Sequence, residues 1–365
     1  MSATSRTEPV PDVVDTPEEA AALPLAPLLV RRPLEALLDA HGIGDGPVEA
    51  RRVGEGHSNV TFLVRRGDSR FVVRRPPRPP YQPSAHDMVR EATVLRALAP
   101  TAVPVPEVLL VCEDLDVLGV PFYVMAELEG DVIMSEVPAH LDEPSGRTAI
   151  AHRMADTLAD LHALDATRPE LAALGRPDGY LERQLRRFST IYEQHRTRDL
   201  PVLEEVAAWL VEHRPQQSAA TLVHNDFRPA NVMWVRSTPA RIAGVLDWEM
   251  ATIGDPLCDV GWMLSTWPEA GDAEGTLLSE ARAIGRGGFP GRAELAARYA
   301  ERSGRPLDDI GWYIVFAFWR AAVGLESFYK RALAGTTDDP FIHRLGDGVP
   351  ELAERARAAM AAARR

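Results

Sequence analysis

The sequence predicts an α+β protein of two lobes, on three observations. Short β-like runs separated by turn residues fill the chain up to about Gly130, long segments of helical periodicity follow from Asp131, and 365 residues suffice for two separate cores. The expected division is an N-terminal arm over residues 1–27, a small antiparallel-sheet N-lobe with one helix over residues 28–130, and a larger, mainly helical C-lobe over residues 131–365.

Each element has its own signal. The first 27 residues are rich in Pro, Glu, Asp and Ala without a sustained period, which reads as a flexible arm. In RPLEALLDAH, Leu34, Leu37 and Leu38 fall at helical spacing before Gly42, so a short helix is expected over Arg32–His41. Strands are expected over Val48–Val53, Val60–Arg65 and Arg70–Arg75. A proline-rich connector leads into AHDMVREATVLRALA, which sets Met88, Ala92, Leu95 and Leu98 along one helical face and carries Glu91. Beyond Pro104 and Pro106, strands over Val108–Cys112 and Pro121–Ala126 are joined by an acidic turn.

The C-lobe helices are expected over Ser145–Leu164, Tyr180–Arg196, Pro201–His213, Ala273–Ile284, Arg292–Arg302, Leu307–Ala334 and Pro350–Ala362. Asp255, followed by Pro256, reads as the N-cap of a further helix, a structural role. His162 shares the side of Leu158 and Leu161 and reads as a packed core histidine. In the long Leu307–Ala334 run, Trp312, Phe316, Trp319 and Val323 form an apolar stripe, while Tyr313 and Arg320 lie together on an adjoining face. A cation in so apolar a helix needs a partner, either a buried carboxylate or an anionic substrate.

Composition excludes several classes. A formal net charge of −13 offers no basic footprint for nucleic acid or for an anionic membrane surface. No apolar run approaches the ~20 residues that span a bilayer. With only Cys112 and Cys258, neither a disulfide framework nor a CxxC metal site is expected, and a reducing cytoplasm fits. The first residues carry acids and prolines where a signal peptide carries a basic start and an apolar core.

The chemistry concentrates in LVHNDFRPANVMWVRSTPARIAGVLDWE, from Leu222 to Glu249. His224, Asp226, Arg228 and Asn231 share one short polar loop between apolar runs, and Asp247 ends a further run. Phosphoryl transfer asks a protein mainly to position reactants and neutralise charge, and this set suits it. Asp226 can orient an acceptor hydroxyl and take its proton, Arg228 can meet the migrating group, and Asn231 and Asp247 offer hard oxygen ligands for Mg2+. An isolated HxD pair also occurs as ordinary turn and capping chemistry. The coupled spacing to Asp247 separates this stretch from that alternative. Upstream, GEGHSN sets Gly54, Gly56, Ser58 and Asn59 in a connection whose backbone amides could approach nucleotide phosphates, or which is simply a Gly-rich hairpin turn.

The spacing Asp226, Arg228, Asn231 matches the protein-kinase catalytic loop, and DWE stands where protein kinases carry DFG. The stretch resembles the aminoglycoside phosphotransferase and choline kinase-like family, with motif wording (GEGHSNVTF, FVVRRPP, DWEMATIGDPLCDVGW) similar to the kinase-like domain fused to some acyl-CoA dehydrogenases. The resemblance implies a two-lobed kinase-like fold and a Mg2+-dependent transfer of the γ-phosphoryl group of ATP, or GTP, to a small-molecule hydroxyl. It implies catalytic roles for His224, Asp226 and Arg228, and a hinge at Ala126, Glu127 and Leu128 that meets the base. Arg74 stands where kinases place a nucleotide-binding lysine, a departure, with Glu91 as its partner. Asp259 would support the catalytic loop, and Glu249 could reach the metal through water. Asn225 occupies a position where many relatives have glycine. The acceptor class suggested is a hydroxy acid or hydroxyacyl-CoA, with Tyr313 and Arg320 as candidates to meet it. An aminoglycoside antibiotic kinase, a protein kinase and a non-catalytic nucleotide-binding module stay open; no long activation segment follows Asp247, which weighs against a protein kinase.

Overall fold

A computed structural model describes residues 10–54, 59–79, 86–272, 277–278, 281–334 and 340–364. The chain divides into two compact units, Met1–Ala99 with Pro106–Leu128, and Pro100–Val105 with Glu129–Arg365.

In the first unit, β1 (Val13–Val14) pairs in parallel with β2 (Leu29–Val30), and between them lies α1 (Pro17–Ala21). The arm expected over residues 1–27 is therefore structured from Val13 onward. The reason is legible in the chain: Thr16 and Glu19 form a capping box, with the Thr16 hydroxyl accepting from the Glu19 amide at 3.2 Å and Glu19 Oε2 accepting from the Thr16 amide at 3.4 Å. Asp12 pairs with both Arg52 and Arg78. Next come α2 (Arg31–Ala40), β3 (Glu49–Val53), β4 (Val60–Arg66), β5 (Ser69–Arg75), α3 (Met88–Leu98), β6 (Val108–Cys112), α4 (Leu115–Leu118) and β7 (Phe122–Ala126). The short α4 replaces the expected acidic turn. Asp114 caps it, and Gly119, at φ 74°, ends it.

The five strands form one antiparallel sheet in the order β3-β4-β5-β7-β6. Strand periodicity sorts its two faces. Val60, Phe62, Val64, Phe71 and Val73 join Leu34 and Leu38 of α2 in one core, while Arg74, one residue out of phase with Val73, meets α3 on the other face.

In the second unit, β8 (Asp131–Val132) precedes α5 (Pro144–His162), α6 (Pro169–Ala172), α7 (Tyr180–His195) and α8 (Pro201–Glu212). Then follow β9 (Thr221–Val223), β10 (Val232–Trp234), β11 (Ile242–Val245) and β12 (Thr252–Gly254). The closing helices are α9 (Pro256–Thr266), α10 (Arg282–Gly285), α11 (Arg292–Ser303), α12 (Ile310–Leu333), α13 (Pro340–His343) and α14 (Leu345–Ala363). Of the helix expected over Ala273–Ile284, the described residues hold only the α10 portion.

Helix α12 is the axis of this unit, packing on α7, α8, α9 and α14. Its stripe of Trp312, Phe316, Trp319 and Val323 is buried, and the indoles of Trp312 and Trp319 donate to the carbonyls of Leu210 and Leu203 on α8. Against α9 the approach is closest: a β-carbon at Gly261 would lie 2.7 Å from the Tyr313 carbonyl carbon and oxygen, so the two backbones touch there. Helix α14 starts five residues before Pro350 and runs through it. Proline leaves the carbonyl four residues earlier without its helical donor. That carbonyl, of Gly346, accepts from Arg198 Nη1 instead. No helix among the described residues is long and apolar enough to cross a membrane.

Candidate active site

Two antiparallel strand pairs assemble the catalytic stretch. Leu222 pairs with Ile253 in β9-β12, and Val232 with Val245 in β10-β11, so the loops 224–231 and 246–251 leave neighbouring strand ends. The Leu246 amide donates to the Asn231 carbonyl at 2.8 Å, stitching them together.

His224 is wholly buried. Its Nδ1 accepts the Asp226 amide hydrogen at 3.1 Å, and its Nε2 donates to the Leu246 carbonyl at 2.9 Å. Those partners fix the orientation of the ring. The imidazole packs against Trp248 and Phe227. Both ring nitrogens are thus committed to backbone groups.

Asp259, on the first turns of α9 and fully buried, accepts from the amides of His224 at 2.7 Å and Asn225 at 2.6 Å and from His162 Nε2 at 3.2 Å. Burial pushes its carboxyl up, but donation from His162 and the neighbouring histidines outweigh that and hold it below the usual carboxylate range. The same burial holds the His162 ring below its ordinary value, opposed by Asp259. His162 Nδ1 lies 2.8 Å from the Tyr299 hydroxyl. The core histidine expected from the sequence is thus also the far end of a chain that reaches the loop.

Asn225 explains its own departure from glycine. It sits at φ 65°, the left-handed region that glycine enters freely and that asparagine tolerates best among side-chain-bearing residues. Both ends of its side chain are engaged: Oδ1 accepts from Tyr180 at 2.9 Å and Arg320 at 3.1 Å, and Nδ2 donates to the Met250 carbonyl at 3.0 Å.

Asp226 is the group this frame presents, with 17% of its side chain exposed. Oδ1 accepts from the Trp262 indole at 2.9 Å and Oδ2 from Asn231 Nδ2 at 2.8 Å, and Arg228 Nε lies 3.1 Å from Oδ1. Burial raises its pKa above the usual carboxylate value, with Asp247 adding to the rise and Arg228, His224 and Asn231 opposing it. Both amide hydrogens of Asn231 go to Asp226, one to Oδ2 and one to the backbone carbonyl at 2.9 Å. The atom Asn231 can offer a cation is therefore Oδ1. Asp247 is held at φ 65°, a conformation costing of order 1–3 kcal/mol for a residue with a side chain. An amide oxygen beside a carboxylate suits Mg2+, a hard cation that takes few protein ligands and completes its shell with phosphate oxygens and water. Among the described residues no group of three or more His, Cys, Asp or Glu is placed to hold a metal ion.

In the first unit, Arg74 Nε lies 3.0 Å from Glu91 Oε1, and its Nη1 donates to Thr61 Oγ1 at 3.3 Å. The expected Arg74–Glu91 pair is formed, with the Glu91 side chain 1% exposed. The Asn59 side chain backs the pair: its amide donates to Glu91 Oε2 at 3.4 Å, and its Oδ1 lies 2.8 Å from His86 Nδ1. Gly54 has φ 80°; Gly56 and Ser58 lie outside the described residues. Of the expected hinge, the Ala126 amide at the end of β7 donates to the Glu107 carbonyl, and Glu127 pairs with Arg70.

Tyr313 and Arg320, expected to meet the acceptor, are corrected. Tyr313 is 1% exposed and donates to Asp255 Oδ2 at 2.9 Å, while Asp255 caps α9 through the Leu257 amide. Arg320 is 5% exposed and turned onto Asn225. Both are drawn inward because α12 is buried along this face. Sequence reasoning missed Trp262, although it lies three residues after Asp259 and so on the same side of α9.

The sequence pattern of the phosphotransferase enzyme family matches residues 49–300. The chain belongs to that family. Mouse acyl-CoA dehydrogenase family member 10 is 32% identical to it over 351 residues, 96% of this chain; the chain spans only 32% of that relative. A solved Ralstonia eutropha protein, provisionally assigned as an aminoglycoside phosphotransferase, superposes with a TM-score of 0.74 at 31% identity, covering 90% of this chain and 97% of that one. An aminoglycoside phosphotransferase solved with GDP and kanamycin gives a TM-score of 0.59 at 19% identity, over 85% and 93% of the two chains, a likeness of fold. The phosphotransferase family's kinase-like α+β fold is thus the fold of this chain.

Proposed function

We propose that this phosphotransferase moves the γ-phosphoryl group of ATP or GTP to a hydroxyl of a small molecule, a hydroxy acid or hydroxyacyl-CoA. The observation that carries the reaction class is Asp226: a partly exposed carboxylate, anchored on both oxygens by Trp262 and Asn231, whose burial makes it more basic than a surface aspartate. Such a group can accept an acceptor hydroxyl proton while its geometry stays fixed.

Arg228 pairs with Asp226 and neutralises it. If an incoming phosphoryl group draws the guanidinium away, Asp226 loses the group that most lowers its pKa and becomes a better base. Asn231 Oδ1 and Asp247 would hold Mg2+. The cation, when bound, supplies neutralisation of phosphate charge. Arg74, aimed by Glu91, would meet phosphate oxygens, with the backbone around Gly54 beside them. Glu249 is proposed as an outer contact of the metal. The acceptor class is supported by the relative's name, acyl-CoA dehydrogenase family member 10, and by the motif wording.

The test is Mg2+-dependent nucleotide turnover against a library of hydroxylated acids, their CoA thioesters and aminoglycosides, comparing wild type with Asp226→Ala. Turnover of a hydroxy acid or its thioester that vanishes in the variant supports the reading. Equal turnover by both removes Asp226 from the chemistry, and a response to aminoglycosides alone moves the acceptor to the antibiotic class.

A further inference from the structure

The Arg320 guanidinium is a buried cation that hydrogen-bonds no carboxylate among the described residues. Its Nη2 donates to the Asn225 carbonyl at 2.7 Å and its Nη1 to Asn225 Oδ1 at 3.1 Å. Its central carbon stands 4.8 Å from the centroid of the Trp262 ring and 5.9 Å from that of Phe316. Burying a charge is costly unless the site repays it. Packing alone would be served more cheaply by an apolar side chain on this apolar helix.

Both contacts lead to Asp226. The Asn225 carbonyl belongs to the peptide unit whose N–H is that of Asp226, and this N–H donates to His224 Nδ1. The plane carrying the aspartate is thus gripped at its oxygen by Arg320 and at its nitrogen by His224. The second route is the indole: Trp262, whose face Arg320 covers, donates its Nε1–H to Asp226 Oδ1. A cation over an indole face draws ring electron density and strengthens that N–H as a donor.

We propose that Arg320 is a positioning residue for Asp226, fixing its backbone through Asn225 and its carboxylate through Trp262. The proposal rests on the phosphotransfer reading above. Lysine at this position keeps the charge but replaces the planar fork with a single point, so it cannot hold the Asn225 carbonyl and Oδ1 together while stacking on Trp262.

The test is a double-mutant cycle of Arg320→Lys with Asp226→Asn, measured as Mg2+-nucleotide turnover at a temperature where circular dichroism shows each variant folded. In the wild-type background, Arg320→Lys should lower kcat by about 30- to 100-fold, the scale of a displacement near 1 Å, with Mg2+-nucleotide affinity within about threefold. In the Asp226→Asn background, where there is no carboxylate base left to aim, it should change the residual kcat by less than about threefold. Asn225→Gly keeps the left-handed backbone but removes the Oδ1 acceptor, and should lose a smaller part of kcat, again with nucleotide affinity kept. Equal losses in both backgrounds overturn the proposal, as does a kcat unchanged by Arg320→Lys. If Arg320→Lys does not fold, a wild-type kcat in Asn225→Gly together with wild-type kcat in Trp262→Phe overturns it. Absence of Asp226-dependent turnover in the wild type removes the parent reading and this one with it; such turnover with an indifferent Arg320 removes this one alone.

Discussion

Replacing Asp259 by asparagine changes one atom's chemistry at the centre of the frame, and its cost can be worked from the contacts. The carboxylate accepts three hydrogen bonds, from two backbone amides and one imidazole, with no exposure to water. The two amides approach different oxygens, so an asparagine must turn its own NH2 toward one of them and leave that buried N–H unpaired, at about 1–3 kcal/mol. The remaining bonds lose their charge assistance, about 1 kcal/mol each. The sum is roughly 3–5 kcal/mol, a large fraction of a domain's stability. At about 2–4 °C per kcal/mol, the unfolding midpoint of Asp259→Asn should fall by roughly 10 °C. Loosening the peptide ahead of Asp226 should lower kcat by about 100-fold with nucleotide affinity largely kept. Because the folded-state pKa of Asp259 is depressed below 3.8, its contribution is present above that value and lost as pH falls through the lower folded value, so the wild-type advantage should shrink in acid. Scanning calorimetry and steady-state turnover measure both effects. A midpoint within about 2 °C of wild type, with turnover within about threefold, would refute the assignment of Asp259 as the loop's anchor.

Further outcomes follow from other contacts. His162 is held neutral by burial, so the unfolded chain takes up a proton first; stability is complete above pH 6.5 and declines as pH falls below it, by at most about 1.4 kcal/mol per pH unit. Denaturant titrations of His162→Asn should lack that component, and parallel curves for the two proteins would refute it. Arg228 lowers the Asp226 pKa in the free protein, so Arg228→Met should move the acidic limb of the kcat/KM–pH profile upward; a downward or absent shift contradicts the pairing. Arg74→Met takes the guanidinium from the buried Glu91 carboxylate and should destabilise the first unit by about 3–5 kcal/mol. Arg74→Met combined with Glu91→Met should recover most of that loss in chemical denaturation, while Mg2+-nucleotide binding stays weak in both. Asp247→Asn should weaken Mg2+-nucleotide binding in a titration, and an unchanged affinity would take Asp247 out of the metal site.

The sequence announced what has a short period or a fixed spacing. The five strands of the antiparallel sheet, the Arg74–Glu91 pair, the Asp255 cap and the Trp312–Val323 stripe could be read because alternation, helical spacing and capping chemistry are local. The structured N-terminus was missed although the Thr16/Glu19 capping box was there to be read. The passage of α14 through Pro350 could not have been read locally, since the compensating donor, Arg198, is 148 residues from the carbonyl it satisfies. The partners of Arg320 and Tyr313 are equally remote in sequence: Asn225 lies 95 residues from Arg320 and Asp255 58 residues from Tyr313. A polar residue on an apolar helix shows that it needs a partner, but not that the partner is the turn before Asp226 or the cap of another helix.

The backbone contact at Gly261 sets a tolerance for chemistry that happens elsewhere. Asp259 and Trp262 flank it on α9, while Tyr313 meets it on α12, seven residues or about 10 Å along the helix from Arg320. With no side chain between the two backbones, the anchors of Asp226 are mounted on what is mechanically one piece, and the error between them is only what two touching main chains permit. A single methyl group at Gly261 would act as a shim: it would pry the helices apart by a fraction of an ångström, on the scale of the ~0.5 Å that a catalytic constellation tolerates. The calibration of the site is therefore stored where no reactant is met.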